Sequence, residues 1–176
     1  MHRWRWRGCL AGMFLAGLLV GGTWGRGAKV SPSLYEGRTA KEAAAALLVA
    51  AEGQAGDGTW ELIGVGRVYY LSGDKTKGQG LFDRVLSGKP KADDLERIAK
   101  VYAEAGEWAK AEPLFRRVAE ADPKDDAAQA EVGAYYNLNG DRAAAEAMFR
   151  RSFDRKPENV WNTLSAAGSY LGVKPQ

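Results

Sequence analysis

The chain has 176 residues, enough for one domain of ordinary size, and its net charge is +3. Five basic and no acidic side chains lie in the first 30 positions, so the remaining residues hold 20 basic and 22 acidic side chains. The basic character therefore belongs to the N-terminal segment. The rest of the chain lacks the basic surface that is typical of nucleic-acid-binding proteins, and we expect no nucleic acid among its partners.

Two residue types that carry much of enzyme chemistry are nearly absent. The single histidine, His2, and the single cysteine, Cys9, both lie in the N-terminal segment. Their absence from the rest of the chain excludes a disulfide framework, a Cys/His zinc site, a Cys–His nucleophile pair and a Ser-His-Asp triad there. No glycine-rich phosphate loop is present either. We therefore expect a non-enzymatic protein with no metal and no cofactor.

Residues 1–28 have the pattern of an export signal. Three arginines among the first seven residues precede an uncharged run at 8–25, and charge returns at Arg26. A short apolar run behind a basic start is typical of a secretory signal peptide. Eighteen uncharged residues also reach the lower limit for a membrane span, so an uncleaved signal anchor is the alternative. Both interpretations place the rest of the chain across the cytoplasmic membrane, periplasmic or secreted, or anchored by residues 8–25.

The segment at 29–58 is predicted to be a linker followed by one helix. Ser31-Pro32-Ser33 is typical of a linker. Thr39 and Glu42 have the spacing of a capping box, which predicts a helix from Thr39 to about Ala51.

A pattern then recurs three times between Thr59 and Pro157, at spacings of 33 and 34 residues. Each copy has a large residue, a small residue four positions later, a tyrosine three positions after that, a mid-repeat glycine, a phenylalanine and a closing proline. The small residue, tyrosine and phenylalanine of the three copies are Gly66, Tyr69 and Phe82; Ala99, Tyr102 and Phe115; and Gly133, Tyr136 and Phe149.

The spacing predicts a pair of short helices in each copy, because residues three or four apart share one helix face. The mid-repeat glycine can adopt a left-handed conformation and end the first helix, and the proline ends the second. The small residue lies where two helices approach closely, and the phenylalanine fills the seam between them. In the third copy, Asp126 with Gln129 is predicted to cap the first helix. One pair cannot bury its apolar face alone, whereas stacked pairs can.

This pattern resembles the tetratricopeptide repeat (TPR) family. The resemblance implies an all-α fold, a right-handed superhelical solenoid of antiparallel helix pairs, with repeats at 59–90, 91–124 and 125–157. The helix in 29–58 is then an N-terminal packing helix or a degenerate half repeat, and 158–176 forms a C-terminal capping helix. That last helix has an apolar stripe with Trp161, Leu164 and Tyr170, which leaves partner binding open as an alternative to capping.

In the TPR family the first helix of each pair lines a concave groove that holds an extended peptide or a partner helix. The resemblance transfers this role to first-helix residues that the repeat signature does not use. They are Trp60, Ile63, Arg67, Tyr70, Arg97, Lys100 and Asn137. The basic side chains could hold a carboxylate or peptide carbonyls. Alternatively, Arg67 and Lys100 are ordinary surface charges paired with Glu104 or Glu96.

The resemblance thus implies a bacterial-type adaptor or scaffold that binds a peptide or protein partner in its groove. The alternative is a structural or oligomerisation subunit of an envelope complex, which self-associates through its repeat edges or its C-terminal helix. In either case we expect membrane contact only through the N-terminal segment, if that segment stays uncleaved.

Overall fold

A computed structural model describes residues 29–175, and within that range the fold is all-helical, without a β-strand. The predicted export signal lies outside the described residues. A short 3-10 turn at Pro32–Leu34 precedes eight α-helices in this range. They are α1 (Ala40–Ala55), α2 (Thr59–Leu71), α3 (Lys75–Leu86), α4 (Ala92–Glu104), α5 (Trp108–Ala121), α6 (Asp126–Leu138), α7 (Arg142–Arg155) and α8 (Val160–Tyr170). Among the helices at 29–175, none is both long enough and apolar enough to cross a membrane.

Helix α1 begins at the predicted capping box. Thr39 Oγ1 accepts a hydrogen bond from the Glu42 amide at 3.3 Å, and Glu42 Oε2 accepts one from the Thr39 amide at 3.0 Å. These two bonds satisfy backbone donors that a helix start otherwise leaves open. The helix runs four residues past the predicted end and stops at Gly56, whose φ of +55° suits only glycine well.

The mid-repeat glycines end the first helix of each pair, as predicted. Their φ angles are +107° at Gly73, +74° at Gly106 and +90° at Gly140, all in the region that disfavours other residues.

The closing prolines follow the second helices by two to four residues. Pro123 and Pro157 come directly after the C-cap residues of α5 and α7, as expected for prolines that end a helix, whereas Pro90 lies farther along the connecting segment after α3.

The predicted cap of α6 is wrong by one residue. The side chain of Asp125, and not that of Asp126, accepts a hydrogen bond from the Ala128 amide at 3.0 Å. Asp126 is the first helical residue instead, and its carboxylate points to α8. The two adjacent aspartates therefore have different tasks, one in starting the helix and one in packing.

The helices pack as pairs, and each predicted repeat contains one pair. Helix α2 packs on α3, α4 on α5, and α6 on α7; α2 also packs on α4, α5 on α6, and α6 on α8. One continuous apolar core follows from this arrangement and runs from Ala55 to Ala166.

The small residues of the repeat signature lie at the closest approaches within the pairs. A Cβ added to Gly66 would lie 2.6 Å from Phe82 Cε1, and one added to Gly133 would lie 2.9 Å from Phe149 Cε1. Neither distance is tolerated, so the phenylalanine ring occupies the space that a side chain would need. The remaining signature side chains, Tyr69, Ala99, Tyr102, Phe115 and Tyr136, are also buried.

Candidate functional site

Side chains from α2, α4 and α6 and the C-terminal tail line a cavity of about 410 Å³, which we call the charged groove. Cavities of roughly 300–1,000 Å³ are usual for binding sites. Five of the seven predicted groove residues contribute to this lining. The lining consists of Trp60, Ile63, Gly64, Arg67, Arg97, Lys100, Val101, Glu104, Tyr135, Lys174 and Pro175.

Arg67 forms a bidentate ion pair across two helices. Its Nη2 lies 2.7 Å from Glu104 Oε1, and its Nε donates to Glu104 Oε2 at 3.0 Å. The two side chains are 50% and 42% exposed, so water screens much of their attraction. The pair links α2 to α4 and leaves Arg67 with little free charge for a ligand.

Lys100 lies between two carboxylates. Its Nζ is 2.6 Å from Glu96 Oε1 and also contacts Glu131 Oε1 of α6. Burial opposes the charge of Lys100, but the hydrogen bonds to Glu131 and Glu96 outweigh it and raise its pKa. Burial, helped by the nearby charge of Glu96, also raises the pKa of Glu131. Lys100 therefore links α4 to α6. The pairing with Glu96 agrees with the alternative interpretation of this residue, whereas the contact with Glu131 was not predicted.

Arg97 is placed differently. Its guanidinium carbon lies 3.9 Å from the centre of the Trp60 ring, and it makes no ion pair with any residue in 29–175. Stacking on an aromatic face orients the guanidinium but leaves its N–H groups available. Lys174, on the C-terminal tail, likewise lacks a carboxylate partner in this range. These two side chains are the uncompensated cations of the charged groove.

Two of the predicted groove residues belong to the core instead. Ile63 is 4% exposed and Tyr70 is 1% exposed. Tyr70 packs against Phe82 and Tyr102, with ring centres 5.6 and 5.5 Å away, and its hydroxyl donates to Glu107. The assumption that the repeat signature leaves these side chains free is wrong, because α4 packs across the face of α2 that carries them. Ile63 retains only a small contribution to the groove floor.

Asn137 also lies outside the charged groove. Its Nδ2 donates a hydrogen bond to Ser169 Oγ of α8 at 2.9 Å. Helix α8 packs on α6 and occupies this side chain. Asn137 is thus part of the contact between the two helices.

Helix α8 continues the register of the three first helices, but its buried positions hold mainly small and polar residues and its exposed positions hold large apolar ones. Asn162, Ala166 and Ser169 follow the large, small and tyrosine positions of the third repeat by 33 residues, and all three are buried.

The apolar stripe that the sequence suggested for capping is largely exposed instead. Trp161 is 66%, Leu164 55% and Tyr170 47% exposed, and of these Tyr170 still packs on Phe149, with ring centres 6.1 Å apart.

A set of hydrogen bonds, which we call the polar seam, holds α8 in place. Asn162 Nδ2 donates to Asp126 Oδ2 at 2.8 Å and to Ser152 Oγ at 2.9 Å. Asn159 donates to the same carboxylate oxygen at 3.3 Å, and Lys156 Nζ lies 3.2 Å from Asp126 Oδ1. These donors, Asn162 first, hold the pKa of Asp126 below its usual value. Burial of these polar groups is tolerated because each has a partner.

The reversed face of α8 lines a second cavity of about 520 Å³, the apolar groove. Its lining comes from α6, α8 and the tail, and consists of Ala127, Glu131, Trp161, Asn162, Leu164, Ser165, Ala167, Gly168, Leu171, Val173, Lys174 and Pro175. Lys174 and Pro175 line the charged groove as well, so the two grooves adjoin at the tail. The tail is held by a hydrogen bond of 2.9 Å from the Val173 amide to the Gly168 carbonyl.

The sequence contained a usable indication of the apolar groove. Leu164 follows Glu131 by 33 residues and Arg97 by 67, so the three occupy the same position in successive first helices. Extending the register past Pro157 would have assigned α8 to the same surface. The extension was missed because α8 lacks the tyrosine, glycine and phenylalanine that mark the three copies.

No known family model matches the sequence, and no curated protein matches it. In the described part of the chain, no three of its histidine, cysteine, aspartate and glutamate side chains lie close enough together to hold a metal ion.

Proposed function

We propose that this chain is a tetratricopeptide-repeat protein that binds a peptide or protein partner, without catalysis, in the concave groove of a right-handed helical solenoid. It would serve as an adaptor or scaffold. Three in-register sequence copies, each folded as a helix pair, support the assignment. The observation that carries the binding role is the charged groove, in which side chains from three successive first helices meet.

The composition of the two grooves favours a polypeptide ligand. Their linings combine exposed aromatic and aliphatic side chains with cations and carboxylates drawn from α2, α4, α6 and α8. A surface spread over four helices offers many separate contacts, which suits an extended chain or a helix better than a compact small molecule. The N-terminal pattern adds that the protein acts after export, in the periplasm, outside the cell or at the membrane surface.

The binding role can be tested by capture from an extract of the cells that make the protein, with the tagged full chain as bait. A variant carrying Arg97→Glu and Lys174→Glu reverses the two uncompensated cations of the groove. Its matched control carries Arg117→Glu and Arg151→Glu, two exposed arginines on second helices, with the same change in net charge. We expect a partner that the wild type and the control retain and the groove variant loses. Equal capture by all three baits would place binding elsewhere.

Self-association is the second candidate, because α8 exposes a large apolar surface. In that case the chain is a structural subunit whose C-terminal helix contacts a second copy. Sedimentation of the full chain over a range of concentrations tests it. A sedimentation coefficient that rises with concentration, and that Trp161→Ser lowers, would support this role; one that stays constant would rule it out.

A further inference from the structure

We infer that the segment bound by this protein combines an apolar stretch, which binds in the apolar groove against α8, with a neighbouring acidic residue, which binds Arg97 at the border of the charged groove. This inference rests on the proposed function and names the chemistry of its partner. Three features of the described residues lead to it: the exposed face of α8, the way α8 is held, and the distribution of unpaired charge.

The exposed face of α8 is an apolar patch around a cavity. Trp161 and Leu164 lie one turn apart on α8, Leu171 follows the helix directly, and Val173 of the tail extends the patch. Single exposed apolar side chains are common, whereas a contiguous apolar patch usually marks an interaction site. With about 520 Å³, the cavity has room for several aliphatic or aromatic side chains.

The fold itself makes little use of this patch. Helix α8 is fixed through Asn162 and Ser169, which bond Asp126, Ser152 and Asn137 of α6 and α7. In α8 these two polar residues face inward, and the apolar side chains of the patch face outward. The apolar face is therefore available for a ligand without loss of the contacts that hold α8.

The charges that line the charged groove indicate which residue type should lie next to the apolar stretch of the bound segment. Arg67 and Lys100 are neutralised by Glu104, Glu96 and Glu131.

Among the charged side chains that line the charged groove, Arg97 and Lys174 are the ones without a carboxylate partner in the described residues, so the unpaired charge of this lining is positive; Asp93 lines a separate small cavity together with Arg97. Arg97 is also oriented in advance by Trp60, which lowers the cost of ordering it around a ligand carboxylate. An acidic residue is complementary to this border and a basic one is repelled.

The tail places the two features next to each other. Lys174 and Pro175 line both cavities, so a single short segment can contact Leu164 on one side and Arg97 on the other. The apolar stretch and the acidic residue are therefore expected to be close in the partner's sequence.

A random peptide library displayed on phage and selected on the immobilised full chain tests the inference. For the wild type we expect enrichment of Leu, Ile, Phe, Trp and Met next to Asp or Glu, and depletion of Lys and Arg. The same selection is run on Leu164→Asp, on Arg97→Glu and on the control Arg117→Glu. Circular dichroism checks that each variant is folded, and Trp161→Ser replaces Leu164→Asp if that variant is not.

The variants should separate the preference for apolar residues from the preference for an acidic residue. Leu164→Asp is expected to lose the apolar enrichment and keep the acidic one. Arg97→Glu is expected to keep the apolar enrichment and exchange acidic for basic residues, while Arg117→Glu resembles the wild type. For one selected peptide, fluorescence anisotropy should show at least about a tenfold loss of affinity for each groove variant. Replacing the peptide's acidic residue by Lys should restore binding to Arg97→Glu.

Other outcomes would overturn the inference in distinguishable ways. Peptides enriched without apolar or acidic preference, or unaffected by both groove variants, would contradict it and leave the proposed binding role intact. The absence of any enriched peptide would contradict both. Self-association of the wild type that Leu164→Asp abolishes would show that a second copy, and not a peptide segment, occupies the apolar groove.

Discussion

Helices α4 and α8 have the same register as first helices, two repeat lengths apart, but divide polar and apolar residues in opposite ways. Helix α4 buries Leu95 and Ile98 and directs charged side chains into the groove. Helix α8 buries Asn162 and Ser169 and directs Leu164 into the groove. The register of the repeat therefore determines which face of a helix is buried, and the local sequence determines which chemistry that face has.

The packing of α4 on α2 and the packing of α8 on α6 are also stabilised by different interactions. Where α4 packs on α2 and α3, the contact relies on aromatic packing among Tyr70, Phe82 and Tyr102, with ring centres 5.5 to 5.6 Å apart. The α6–α8 junction relies on directional hydrogen bonds to Asp126 and Ser152. Aromatic packing tolerates small shifts, whereas buried hydrogen bonds are stabilising only when every member is satisfied. The predictions below test this difference, from the largest expected effect to the smallest.

Removal of an aromatic side chain from the apolar core should cost most. Phe115 is fully buried and stacks on Tyr135 with ring centres 4.5 Å apart. We expect Phe115→Ala to lower the free energy of unfolding by about 3–5 kcal/mol, since it leaves a cavity between α5 and α6. Denaturant unfolding followed by circular dichroism measures this. The exposed neighbour Arg117→Ala serves as the control and should stay within about 0.5 kcal/mol of the wild type.

In α8 the substitution of a polar residue should lower the free energy of unfolding more than the substitution of an apolar residue, which is the reverse of the usual order. Asn162→Ala removes two hydrogen bonds and leaves the carboxylate of Asp126 and the hydroxyl of Ser152 short of a donor. We expect a loss of about 1–3 kcal/mol in unfolding free energy. Leu164→Ala, on the exposed face of the same helix, should change it by less than about 0.5 kcal/mol. A larger loss for Leu164→Ala than for Asn162→Ala would contradict the reversed polarity.

Glu107, which precedes α5 and contacts α2 and α3, should give the stability of the fold a distinct pH dependence. Hydrogen bonds from Lys110, Lys75 and Tyr70 lower the pKa of Glu107 from 4.5 to about 2. A lowered folded-state pKa stabilises the fold above the unfolded-state pKa, and this contribution disappears as the pH falls from 4.5 towards 2.

The difference in melting temperature between the wild type and Glu107→Gln should therefore be largest at neutral pH and shrink towards pH 2. Thermal unfolding across this pH range measures it. A difference that stays constant with pH would show that the charge of Glu107 does not contribute to stability.

The exposed ion pair of the charged groove should contribute least. Arg67 and Glu104 are each about half exposed, and such pairs usually contribute roughly 0–1 kcal/mol. Arg67→Ala should therefore change the unfolding free energy by no more than this amount. Salt sharpens the test, because added salt should reduce the difference further. A loss above about 2 kcal/mol would mean that the pair is more than a surface contact.

The sequence predicted the parts of the fold that depend on local chemistry. The capping box of α1 and the glycines that end α2, α4 and α6 follow from residues a few positions apart. The in-register copies likewise predicted helix pairs with glycine at the close approaches, as at Gly66 and Phe82.

The contacts between helices far apart in sequence were less predictable. The burial of Tyr70 depends on how α4 crosses α2, and the neutralisation of Lys100 depends on Glu131 of α6. The reversed face of α8 was missed for a different reason. A stripe of apolar residues predicts a buried face by default, and Asn162 and Ser169 can occupy such a face only because Asp126, Ser152 and Asn137 supply partners.

The measurement that tests the central claim most directly is photo-crosslinking from single positions in the full chain. A photoreactive residue replaces Gly64, where a side chain meets no atom within 4 Å, or Leu164, while positions 117 and 151 serve as controls. If the charged and apolar grooves form one binding surface, positions 64 and 164 crosslink to the same partner and the controls do not. Crosslinking of that partner from the controls alone, or of different partners from 64 and 164, would contradict the account.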